Sequence, residues 1–205
     1  MKLFFLGMFV LAMLGCSSQT PVVEGTIGLV SPTGSSIDLY NEDGSLWYGF
    51  EIVHEESTGN EIIKDPNPEF HPYAFRLEYT PVYLRVVADH GLRYEVIANE
   101  MTGLRKFVRK GLSVRFQSWE EHILTTFSVR PRSGGNPIRE TPAEDGKPVG
   151  TPDDILIEAA EFSGDWLKVK WESRNDTRGS EAMRGEGWIR WKEGDRLLIT
   201  WFYFA

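Results

Sequence analysis

The residues of this 205-residue chain best suited to chemistry are late tryptophans with carboxylates near them. Trp166, Trp188 and Trp191 lie in two short apolar runs, and Glu140, Glu144, Asp145, Asp153 and Asp154 supply acid upstream. An exposed indole stacks on sugars, prolines or peptides and holds cations over its face. The residue types point to binding, not to bond making. His54-Glu55-Glu56 lacks the second histidine, four residues on, of a helical zinc motif. The remaining histidines, His71, His90 and His122, stand in separate segments, so no metal is expected. No Gly-x-Ser-x-Gly elbow is present. Carboxylates are plentiful, but no pattern pairs two of them across a cleft. The expectation is a non-enzyme without a cofactor.

Strands must position these tryptophans. In Trp166-Leu167-Lys168-Val169-Lys170-Trp171 polar and apolar residues alternate, and Ile189 parts from Trp188 in the same way. Leu167, Val169 and Ile189 therefore read as core, and Trp166 and Trp188 as outward-facing. The two runs are joined by a polar loop, 172–185. The expected site is a groove lined by Trp166, Trp188 and Trp191, with the acidic loop 140–154, including Glu140 and Asp145, as one wall.

Three motifs in order carry a resemblance. They are Asn136-Pro137-Ile138-Arg139-Glu140-Thr141-Pro142, then Gly164-Asp165-Trp166 with Val169, then Gly187-Trp188-Ile189. This pattern resembles the bacterial SH3-like (SH3b) domain, with an insertion in the first motif and a longer loop between the Trp runs. The resemblance covers 137–205. It implies a small barrel whose aromatic groove takes peptide or peptidoglycan. The cysteine peptidase often attached to such modules has no counterpart, because the single cysteine, Cys16, lies near the start.

That cysteine has its own reading. Lys2 precedes an apolar run, 3–14, too short to span a bilayer as a helix (about 20 residues) and suited to a secretory signal. Met13-Leu14-Gly15-Cys16 resembles a bacterial lipobox, which implies cleavage before Cys16 and lipid attachment to it. Residues 1–15 read as signal peptide and 16–21 as lipidated tether, which implies a cell-envelope lipoprotein. Ser17 after Cys16 resembles the outer-membrane sorting pattern of an organism with two membranes. A single cysteine excludes an internal disulfide. The net charge of −8, one unit more negative without Lys2, argues against nucleic acid and against polybasic lipid binding.

Between tether and linker, 22–130 reads as a β domain. Short apolar runs alternate with turns at Ser31–Ser35, Asn41–Gly44, Asp89–Gly91 and Thr102-Gly103. The stretch 55–72, with three prolines, reads as a long surface loop. Tyr83-Leu84-Arg85-Val86 parallels Trp166–Val169, and the run holding Phe107 parallels that holding Trp188. Tyr83 and Phe107 are thus the candidate site residues of a second copy. Ser118-Trp119-Glu120-Glu121 has the form of a capping box, with Trp119, Ile123 and Phe127 on one helical face. Residues 131–136 read as linker. The expected fold is all-β: tandem small SH3-like barrels with one short helix between them. The expected partners are a peptide, peptidoglycan or an envelope protein, with a membrane held through the lipid.

Overall fold

The computed structural model describes residues 25–76, 80–132, 135–150, 155–173 and 184–203. Cys16, the signal segment 1–15, the tether 16–21, and Asp153 and Asp154 lie outside the described residues.

The described chain is almost entirely β. The first half contains β1 Gly28–Pro32, β2 Ser36–Tyr40, β3 Leu46–Glu55, β4 Asn60–Ile63, β5 Ala74–Arg76, β6 Thr80–Asp89, β7 Arg93–Asn99, β8 Leu104–Arg109 and β9 Val114–Ser118. They form one antiparallel sheet in the order β4-β3-β2-β8-β7-β6-β1-β9, with β5 on β6. The order has two free ends, so the sheet is open, and no closed barrel is found among the described residues.

Alternation explains the first core. Ile37 and Leu39 point inward from β2 while Ser36 and Asp38 face water. They meet Phe50, Leu84, Val86, Val96, Ala98 and Val108, all nearly inaccessible to solvent. One stretch departs from expectation. Within 55–72, β4 folds back on β3 and sets Ile62 opposite Val53 and Ile63 opposite Ile52. The turn is closed by Glu55 O, which accepts from the N–H groups of Thr58 and Gly59.

The strand β1 is buried on both faces. Val30 enters the first core, and Leu29, on the opposite face, enters a second. That second core joins the two halves of the chain. Trp119, Ile123 and Val129 come from the first half; Leu167, Val169, Trp171, Ile189, Trp191 and Ile199 come from the second.

The helix α1 Trp119–Leu124 has the expected capping box. Ser118 accepts from Glu121 N–H and Glu121 accepts from Ser118 N–H. The helix stops at Leu124 with Thr125 as cap, so Phe127 lies beyond it and is 37% exposed. The next strand, β10 Ser128–Pro131, runs into the first residue of the segment expected as linker, 131–136. It pairs with the last strand, β16 Ile199–Phe202, with Val129 opposite Trp201. A ladder therefore ties the residues before 131–136 to the end of the chain.

The remaining strands are β11 Ile155–Ser163, β12 Trp166–Ser173, β13 Arg184–Arg190 and a small hairpin, β14 Lys192–Glu193 with β15 Arg196–Leu197. β11, β12 and β13 form an antiparallel meander. Leu167, Val169 and Ile189 have no exposure, as the alternation requires.

Candidate functional site

The Gly164-Asp165-Trp166 motif is a two-residue hairpin turn: Ser163 pairs with Trp166 across it. Gly164 has φ +59°, a left-handed conformation that glycine takes without a Cβ penalty. The turn also fixes Trp191. The indole Nε1–H of Trp191 donates to Gly164 O at 2.9 Å, and its backbone N–H donates to Asp165 O at 2.9 Å. Its ring meets Phe162 edge to face and is 1% exposed. This corrects the expectation for Trp191. It lies three residues from Trp188, an odd offset that puts it on the inner face with Ile189, so it fills the core and lines no groove.

Trp166 and Trp188 do share the outer face of the meander, and both are half-buried. Trp166 stands opposite Arg190 and Trp188 opposite Lys168, so the two indoles are diagonal neighbours. The face continues along the strands as charged pairs. Lys168 reaches Glu186 at 3.1 Å, and Arg184 reaches Glu172 at 2.9 Å. Beyond Lys170 and Glu186 it ends in a cleft of about 370 Å³ floored by Leu156, Trp171 and Gly185. Nothing in the sequence pattern marked this cleft, because its apolar floor comes from the inward-facing Trp171 showing past a glycine.

Two glycines shape that strand. A Cβ on Gly185 would sit 2.2 Å from the Trp171 ring, and one on Gly187 would sit 2.6 Å from Ile138 Cγ2 and 2.8 Å from Arg139 O. The Gly-Glu-Gly spacing therefore clears room on one face for the Trp171 indole and for the segment holding Ile138. That segment is strapped to β13 by reciprocal bonds, Arg139 N–H to Trp188 O and Trp188 N–H to Arg139 O, each 2.8 Å. The Arg139 guanidinium donates to Gly146 O at 2.7 Å and closes the loop that follows.

The described part of the acidic loop, 140–150, meets the meander through Glu144, and its carboxylates are partly engaged. Glu144 pairs with Arg190 at 2.7 Å, and Glu140 lies 3.6 Å from Lys147. Asp145 is exposed. Exposed pairs of this kind contribute about 0–1 kcal/mol, so they leave the face free to exchange partners.

Comparison of the chain with protein-family models, with curated proteins and with solved structures finds no match. What the site can do therefore rests on its own geometry.

The second-copy residues are not brought together in a comparable way. Tyr83 packs between the halves, 4.8 Å from the His122 ring and stacked on Tyr203 at 5.8 Å. Phe107 lies two strands away on β8, with the Arg93 guanidinium 3.9 Å above it. Around Tyr83 the structure assembles a joint that sequence reading missed. His122 is fully buried among Tyr83, Trp201 and Tyr203, and its Nε2 shares a 2.9 Å hydrogen bond with Tyr203 Oη. The capped helix and the aromatic end of the chain were each visible, but their meeting was not.

Proposed function

We propose that this chain is a non-catalytic, lipid-anchored cell-envelope protein whose C-terminal third is an SH3-like module that binds peptide or peptidoglycan. One observation carries the binding site: Trp166 and Trp188 stand half-exposed on one face, continuous with a row of alternating charges and a cleft. Such a face suits an extended peptide bearing both amines and carboxylates, with the indoles covering its apolar or sugar-linked end. The proposal concerns the C-terminal third and does not extend to a second copy.

Replacing Trp166 and Trp188 together by Ala should weaken binding to purified sacculi or muropeptides by about 1–3 kcal/mol per indole. The melting temperature should move little. Val169→Ala, in the core, should cost about 1.5–3 kcal/mol of stability and leave binding intact. Unchanged sacculus binding by a folded double variant would sink the site. Binding to an envelope protein alone would replace the ligand class.

Anchoring rests on Met13–Cys16. Cys16→Ala should release the protein from the membrane fraction and stop processing at that position. A processed, membrane-bound Cys16→Ala chain would refute the lipid.

A further inference from the structure

Charge in this acidic chain is not evenly spread, and one basic cluster coincides with the two most exposed leucines among the described residues. The β6–β7 turn presents Leu92, 88% exposed, and the β8–β9 turn presents Leu112, 100% exposed. The two turns lie side by side, because Lys110 N–H donates to Leu92 O at 2.9 Å. They are braced and not frayed. Thr33 donates through its N–H to Ser113 O and through its hydroxyl to Leu112 O, at 2.9 and 2.8 Å. Gly91 N–H is held by Asp89 Oδ1 at 2.9 Å.

Around these leucines stand Arg93, Arg109, Lys110 and Arg115; across 89–93 and 109–115 the only carboxylate is Asp89, which pairs with Lys110. Three of the cations are held over aromatic faces: Arg93 on Phe107 at 3.9 Å, Arg109 on Tyr40 at 4.1 Å and Lys110 on Tyr94 at 4.5 Å. Nearby acids further into the sheet are Asp38 and Glu95, bound to Tyr40 and to His90 and Arg105, and Glu42 and Asp43 of the β2–β3 turn, where Asp43 is held by Ser45 and the Glu42 carbonyl accepts from the Arg93 guanidinium at 3.0 Å.

We propose that this tip is a membrane-contact element: Leu92 and Leu112 enter the interface of an anionic lipid surface and the surrounding cations meet its headgroups. The shape favours lipid over a protein partner. The leucines protrude from convex turns with almost no neighbouring contact, so a protein would need matching pockets for them, whereas a bilayer needs none. The charge supports the same occupant. A net of −8 is repelled by anionic lipid, but a basic tip on an acidic body orients that body outward and the tip inward. The assignment is independent of the peptide-binding reading and of lipid on Cys16.

The test uses the full chain with Cys16→Ser, so that one introduced cysteine carries an environment-sensitive dye. Leu112→Cys reports the tip. Met101→Cys, at a residue 81% exposed on the turn at the other end of β7 and β8, is the control. With phosphatidylglycerol-containing vesicles the dye at 112 should shift to the blue and brighten about threefold or more, and the dye at 101 should not. The readout is specific to position, so it does not depend on how the leader behaves. Arg109→Gln with Lys110→Gln should raise the lipid concentration needed roughly tenfold or more, since each cation near such a surface is worth about fivefold. A dye at 112 that stays in water, equal responses at 101 and 112, or an equal response on neutral phosphatidylcholine would each overturn the proposal.

Discussion

Residues 137–205, expressed without the rest of the chain, should fail to form a cooperative fold. The reason is the second core. Leu29, Trp119, Ile123 and Val129 enter it from outside that segment, and each is at most 5% exposed. Burying such a side chain contributes about 1.5–3 kcal/mol, so removing all four withdraws on the order of 6–12 kcal/mol. A domain of this size has only about 5–15 kcal/mol of net stability. The truncation also strips β10 from β16 and leaves four residues of backbone with an unpaired edge. Far-ultraviolet circular dichroism and a denaturant titration of the fragment check this. A sharp, two-state unfolding transition in 137–205 would show that the C-terminal third is self-sufficient. In the intact chain, Ile123→Ala should lower stability by about 2–5 kcal/mol although it lies on the far side of 131–136 from most of its partners.

The legible parts of this fold were those set by local chemistry. The period of two in 166–171 gave the inner and outer faces correctly, because a strand with one covered face must alternate. The Ser118 capping box announced a helix start because its two bonds close within four residues. Where register between distant strands decides the outcome, the pattern was silent. Trp191 stands at an odd offset from Trp188, so the period of two already puts it on the inner face with Ile189; what the pattern does not show is the Gly164 carbonyl that accepts from its indole. In the same way, Pro131 and two glycines made 131–136 look like a joint between bodies. The pairing of Val129 with Trp201 depends on a contact 72 positions away in the chain, which composition cannot encode. Net charge is silent for a similar reason: a sum over the chain does not reveal that the strands bring Arg93, Arg109 and Lys110 to one end of the sheet.

Acid should loosen the joint between the halves before it protonates most carboxylates. His122 has no solvent exposure, and burial pulls its pKa from 6.5 down to about 4. Its Nδ1 has no hydrogen-bond partner among the described residues, while Nε2 is 2.9 Å from Tyr203 Oη. A bare buried lone pair costs less than a buried N–H with no acceptor, so the neutral ring places its proton on Nε2 and donates it to Tyr203. Trp201 Nε1–H donates to the same oxygen at 3.3 Å. Protonation adds an N–H at Nδ1, which has no hydrogen-bond partner among the described residues, in a ring packed against Tyr83, Trp201 and Tyr203. The folded state therefore holds the neutral form and the unfolded chain takes the proton more readily. The stabilising contribution is complete above pH 6.5, falls as the pH drops from there, and is gone below about 4, a loss of about 3 kcal/mol. Asp89, held low by its hydrogen bond from Lys110, keeps its contribution to lower pH, which separates the two windows. Urea midpoints between pH 7 and 4 should fall steeply for the native chain. His122→Leu, less stable or not at pH 7, should show a much flatter slope across the same range. Parallel slopes for the two proteins would mean that His122 is not the group that titrates.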